Sequence, residues 1–273
     1  MAHPQIAIFA RLAKENSATT RVLAGQKTLL SRTMHDIRYD EIHDEIYVTN
    51  PFANAVLVFR GGANGEEAPI RVIQGAKTRL GGASRLEVDP VNNEIYVPGN
   101  SGILVYNRMA NGDVAPIREI GGPDTQLRNI GGVAVDPVNN VLVAGTQFRG
   151  RDNPGGSLVI LDRSASGNAQ PKGVIEGPRS GLVRALQLAV YPPKGWVVVA
   201  QAGSGDEMEP KGVFLGVWSI HDNGDVPPRW KIAGPGSTMK KPRGVAINPK
   251  HKEVYISDMR LNAVLTYSFP EIF

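Results

Sequence analysis

Two charged pairs recur at one spacing in this chain: Asp36 and Arg38 are followed 49 residues later by Arg85 and Glu87. A carboxylate and a guanidinium two residues apart can neutralise each other, hold a polar ligand, or shift each other's pKa for proton transfer. Five short segments (26–35, 76–85, 123–131, 178–186 and 235–243) add eleven basic residues against one acid, Asp124. That is a local charge of +10 in a chain whose total is +4. Arg85, Arg128, Arg184 and Arg243 belong to this set. Positive charge gathered in this way draws in carboxylates, phosphates or nucleic acid by raising their local concentration. The acids collect elsewhere, at Asp40, Glu41, Asp44, Glu45, Glu66, Glu67, Asp113, Asp222 and Asp225.

Other chemistries find less support. The absence of cysteine excludes disulfides, thiol catalysis and cysteine metal sites. The five histidines (His3, His35, His43, His221, His251) fall at unrelated positions, and only His35 adjoins the Asp36 pair. The oxygen-rich run Asp206–Glu209 can hold calcium, although a solvated loop is the simpler reading. There is no glycine-rich phosphate loop, nucleophile elbow or zinc motif, so no metal and no cofactor is assigned. Single-stranded RNA would also want exposed aromatic rings near the basic segments. Only Phe52 and Phe148 are placed for that, which makes nucleic acid the weaker partner.

These residues must be positioned by a repeat. The segment GVAVDPVNNVLVAG at 132–145 recurs as RLEVDPVNNEIYVPG at 85–99, and more loosely as DIRYDEIHDEIYVTN at 36–50, QLAVYPPKGWVVVAQ at 187–201 and GVAINPKHKEVYISD at 244–258. The ends of the five first strands (Asp40, Asp89, Asp136, Tyr191, Asn248) are 49, 47, 55 and 57 residues apart. Periods of this size with strand patterning indicate propeller blades. Each repeat reads as an inner strand ending in a turn, a short β-branched and aromatic strand (EIYVTN, EIYVPG, EVYISD), a third strand (VLVFR, ILVYNR, LVILDR, LGVWSI, VLTYSF), a turn such as ANGDVAP, and a fourth strand (IRVIQG, IREIGG, KGVIEG, RWKIAG). No helical periodicity appears. The predicted fold is an all-β propeller of four-stranded antiparallel blades, five rather than six, in a single domain over 1–273. The C-terminal repeat stops after its third strand, so RVLAG at 21–25 is expected to complete that blade and close the ring. IAIFAR at 6–11 is then left over, either as an outermost strand or as the remnant of a sixth blade.

GVAINPKHKEVYISDMRLNAVLTY at 244–267 and YVTNPFANAVLVF at 47–59 resemble NHL-repeat propellers, and the likeness covers most of the chain. The resemblance implies a propeller fold. For function it implies any of several classes: binding platforms, RNA readers, lactonase-like hydrolases and an amidating lyase. It also implies that Asp258 ties its own loop by hydrogen bonds. The histidine positions do not reproduce the three-histidine metal ring of the lyase.

Alternation along the inner strands sends Ile37 and Tyr39, Leu86 and Val88, Val133 and Val135, Leu188 and Val190, Val245 and Ile247 between blades. The intervening residues then face the axis. Three blades place alanine at the midpoint, whereas two neighbouring blades place Arg38 and Glu87 there. Either these form an ion pair that fills the channel, or Asp36, Arg38, Arg85, Glu87 and Gln187 form a polar wall for a ligand, with His35, Arg128, Arg184 and Arg243 around its mouth. The expected function is a binding platform for an anionic small molecule or an acidic protein surface. A lactonase-like or lyase-like enzyme and an RNA-binding propeller are the alternatives. The N-terminus lacks the basic and long apolar regions of a secretory signal, and no apolar run approaches a membrane span. This fits a cytosolic chain or the mature form of an exported one.

Overall fold

The computed structural model describes residues 4–99, 102–147, 155–205 and 208–273. His3, Phe148, Asp152, Asp206 and Glu207 lie outside them. The protein is an all-β, five-bladed propeller. A two-stranded sheet of β1 (Gln5–Ile8) and β2 (Arg21–Ala24) comes first. Blade 1 contains β3 (Ile37–Asp40), β4 (Glu45–Asn50), β5 (Ala55–Arg60) and β6 (Arg71–Gln74). Blade 2 contains β7 (Glu87–Asp89), β8 (Glu94–Pro98), β9 (Gly102–Asn107) and β10 (Arg118–Gly121). Blade 3 is β11 (Ile130–Asp136), β12 (Val141–Thr146), β13 (Ser157–Asp162) and β14 (Gly173–Glu176). Blade 4 is β15 (Ala185–Tyr191), β16 (Trp196–Ser204), β17 (Lys211–Ser219) and β18 (Trp230–Ala233). The last sheet is β19 (Pro242–Asn248), β20 (Glu253–Asp258) and β21 (Ala263–Ser268). No helix among the described residues is long and apolar enough to cross a membrane. By density of contacts the chain divides into two compact units, Met1–Gly99 with Leu104–Ile117 and Asn100–Ile103 with Arg118–Phe273.

The repeat has a local cause at each turn. Where a first strand ends in Asp, its Oδ1 accepts the N–H groups two and three residues on: Ile42 and His43 for Asp40, Val91 and Asn92 for Asp89, Val138 and Asn139 for Asp136. This side-chain turn stops the strand and reverses the chain. Asp258 acts likewise on Arg260 and Leu261, and its Oδ2 also accepts from the N–H groups of Lys240 and Lys241. A second device joins consecutive repeats. Gly75, at φ 135°, packs against Asp113 of the following turn, whose Oδ1 accepts the Lys77 N–H at 2.7 Å. A side chain at Gly75 would be strained by its backbone angle and would collide with that carboxylate.

In the first unit the segment 21–25 differs from expectation. β2 takes β1 as its antiparallel partner, from Gln5↔Ala24 to Ile8↔Arg21. The two strands are close in sequence, so their pairing closes a short loop, whereas pairing with the last blade would join the far ends of the chain. β2 also makes a parallel bridge from Leu23 to Gly65, as β6 does from Ile73 to Gly112. It therefore stands toward blade 1 as a fourth strand stands toward the next blade, and β1–β2 form the outer half of a blade. Leu23 and Ile6 cover Ile46, Val48, Leu57 and Phe59 of β4 and β5. Among the described residues of the first unit no first strand accompanies them, and Ile37 and Tyr39 are 46% and 59% exposed rather than packed. Their counterparts Leu86 and Val88 are buried in the next cluster, with Tyr47, Val56, Val58 and Ile95.

In the second unit the large apolar residues pack between blades as expected, but Ala134 and Ala189, expected at the axis, pack between blades too, because successive side chains of an inner strand face the two blades on either side. Leu188 packs with Val143, Leu158 and Ile160 of blade 3, and Val245 packs with Val198, Leu215 and Val217 of blade 4. Burial of this kind contributes about 25 cal/mol per Å² of apolar surface and is the main source of cohesion between blades.

Candidate functional site

Asp36, Arg38, Arg85 and Glu87 come together in the first unit. Asp36 closes the loop before β3 and is buried. Its N–H donates to Thr49 Oγ1 at 3.0 Å, its Oδ1 accepts the Ile37 N–H at 3.0 Å, and its Oδ2 accepts the Leu86 N–H of blade 2 at 3.1 Å. One carboxylate thus ties the entrance of the first inner strand to that of the second. Arg38 donates from Nη1 to Asp36 Oδ1 at 2.9 Å and from Nε to Glu87 Oε2 at 3.1 Å. Glu87 Oε1 accepts the Val88 N–H at 2.9 Å. The side chains of Arg38 and Glu87 are only 17% and 15% exposed.

Burial opposes the charge of Arg38, but the carboxylates of Asp36 and Glu87 outweigh it and hold the guanidinium above its ordinary pKa. Burial pushes the Glu87 carboxyl above its usual value, with Arg38 pulling the other way. Arg38 stays charged, and its 3.1 Å contact with Glu87 has the geometry of an ion pair. Arg85 is different. Burial lowers its pKa, the Asp36 carboxylate offsets part of that effect, and Arg38 adds to it. Its Nη1 donates to the Ser84 carbonyl at 2.8 Å. Two carboxyl groups and two guanidiniums thus share the cluster. His35 beside them is exposed.

The other four expected residues belong to the second unit. Gln187 is 2% exposed in β15, and Arg184 precedes that strand, its N–H donating to Gln201 Oε1 at 3.0 Å. Arg243 is half-buried in β19. Arg128 is exposed beside Glu176, with 3.9 Å between Nη2 and Oε2, at a cavity of about 560 Å³.

A stronger ionic cluster was not anticipated from the sequence, which places Glu45 with the surface acids. In the first unit Glu45 Oε2 accepts from Tyr47 Oη at 2.5 Å, Arg71 Nη2 at 2.7 Å and Arg108 Nη1 at 2.7 Å. Burial raises its pKa, but Arg71, Tyr47 and Arg108 together bring it down to about 2. The signal lay in the repeated Glu-x-Tyr of the second strands. Residues two apart share a face, and Tyr96 and Tyr255 donate to Glu94 and Glu253 at 2.6 Å in the same way. Among the described residues no group of three or more histidine or acidic side chains is placed to hold a metal ion.

No family model matches the chain, and no curated protein matches it. Solved structures do. One is the crystal structure of a nidogen/laminin complex, with a TM-score of 0.65 and 14% identity over 97% of this chain and 86% of that one. Another is Kuenenia stuttgartiensis hydrazine synthase, with a TM-score of 0.57 and 10% identity over 82% of this chain and 55% of that one. At these identities the likeness is one of fold, and it places the chain among β-propellers.

Proposed function

We propose that this propeller is a binding platform whose ligand, an anionic small molecule or an acidic protein surface, presents a carboxylate or phosphate to Arg85. The observation that carries the reading is the position of Arg85. It is a partly buried guanidinium at the entrance of the second inner strand, where burial and Arg38 oppose its charge and Asp36 supports it, and a guanidinium so placed can take a carboxylate or phosphate in a bidentate contact. Asp36 and Glu87 hold Arg38 in place and keep the neighbouring polar wall in one conformation. A propeller solved within a nidogen/laminin complex offers a precedent of fold for a protein partner.

Calorimetric titration with citrate, inorganic phosphate and an acidic peptide tests the reading. Arg85→Ala should weaken binding by roughly tenfold or more, the cost of one charge-assisted hydrogen bond or greater. Lys77→Ala, in the loop before β7, should change it little. Absence of binding by all three anions at low salt would refute the proposal. An RNA oligonucleotide that binds with a steep salt slope would favour the RNA alternative, and turnover of a lactone would favour the hydrolase.

A further inference from the structure

We infer that the cavity beside Arg128 and Glu176 is a second binding site, for a neutral polyhydroxylated ligand of mono- to disaccharide size. It is built within the second unit alone, so it stands independently of the Arg85 reading. Its volume of about 560 Å³ falls within the roughly 300–1,000 Å³ typical of small-molecule sites.

The sheet register assembles it. Thr146 ends β12, Ser157 begins β13 and Glu176 ends β14, and the pairings Thr146↔Ser157 and Ser157↔Glu176 set the three in one row across the end of blade 3. Adjacent residues of such a row lie on one face within reach of a common partner. The corresponding row of blade 4 is Gln201, Phe214 and Ala233, and that of blade 1 is Asn50, Ala55 and Gln74. Neither sets two hydroxyls beside a carboxylate. The inner end of the row is buried, with Thr146 5% and Ser157 3% exposed and their hydroxyl oxygens 2.6 Å apart. The outer end is open: the side chains of Glu176 and Arg128 are about half exposed.

The polar groups at the open end are held only by a long ion pair between Arg128 and Glu176. Among the described residues no protein group hydrogen-bonds to the Glu176 carboxylate, the Arg128 guanidinium or the Gln147 side-chain amide, all of which line the cavity; the nearest approach is the 3.9 Å between Arg128 and Glu176. A carboxylate accepts, a guanidinium donates, and amides and hydroxyls do both. That mixture matches ligand hydroxyls, each of which is donor and acceptor at once. Among the described residues the lining carries one positive and one negative side chain, a balance that suits an uncharged ligand. Leu182 supplies an apolar wall for the C–H face of a sugar ring.

Isothermal titration of the full chain with D-glucose, maltose and myo-inositol, with glycine and citrate as ionic comparisons, tests this. At least one neutral polyol should bind with little salt dependence. Glu176→Ala and Gln147→Ala should each weaken it roughly tenfold, about one hydrogen bond, with the melting temperature unchanged because both side chains are solvent-accessible. Arg85→Ala should leave it intact. The inference is overturned if no polyol binds at tens of millimolar, if binding survives both substitutions, or if glycine or citrate competes and binds more tightly than the polyols.

Discussion

Arg38 Nε lies 3.1 Å from Glu87 Oε2, joining the first strand of blade 1 to the first strand of blade 2. The two side chains occupy equivalent positions of successive repeats, so the contact belongs to the seam between blades. Removing one partner leaves the other charge in a low-dielectric setting, which costs more than the pair contributes. Arg38→Ala should destabilise by about 2–4 kcal/mol, more than the double change Arg38→Ala with Glu87→Ala. Urea denaturation across the double-mutant cycle measures the coupling, and strict additivity would show that the contact has no energetic weight.

The Glu45 cluster sets an acid limit. Its folded pKa of about 2 lies below the ordinary value of 4.5. A depressed carboxyl stabilises the folded state above the unfolded pKa, and this contribution is lost as pH falls from about 4.5 toward about 2. Glu45→Gln should flatten the dependence of stability on pH in that window and destabilise the protein at pH 7 by about 3 kcal/mol, because Arg71 and Arg108 lose their carboxylate. Denaturant midpoints measured from pH 7 to pH 3 decide it: parallel curves for wild type and variant would sink the assignment.

The fold was legible because its signals are local and repeated. An Asp that ends a strand and caps its own turn appears at Asp40, Asp89 and Asp136, and alternating apolar residues mark the blade faces. The Arg38–Glu87 contact was legible for the same reason, since equal positions in neighbouring repeats face each other. Less could be read where partners come from different strands. Nothing around Glu45 indicates that Arg71 and Arg108, 26 and 63 residues away, converge on it. The row Thr146, Ser157 and Glu176 depends on register across a long loop, which strand patterning does not specify. The exposure of Ile37 and Tyr39 follows from β1–β2 being only half a blade, and the pairing of QIAI with RVLA is a choice among strands that alternation leaves open.

Leu23 anchors that half-blade. It is fully buried against Ile46, Leu57 and Phe59 and bridges to Gly65. Leu23→Ala should cost about 2–5 kcal/mol through lost transfer energy and a residual cavity. If β1–β2 were a dispensable arm, the urea midpoint would not move.

β21 presents the opposite problem, an edge without a guard. Its sequence AVLTYS carries no charge, Val264 is 68% exposed, and among the described residues its strand neighbour is β20 alone. Three of the four fourth strands that flank third strands elsewhere in blades 1 to 4, RVIQ, REIG and WKIA, carry a basic residue, and the remaining one, GVIE, carries an acid. A long uncharged edge offers its unpaired N–H and C=O groups to another chain, and lysine on such an edge blocks that pairing. Wild-type protein should therefore associate as concentration rises, and Val264→Lys should suppress the association with little change in melting temperature, since the side chain it replaces is solvent-exposed. Sedimentation velocity over a concentration series separates the outcomes. A monomeric wild type at every concentration, or equal association by the lysine variant, would show that the β21 edge is not an adhesive surface.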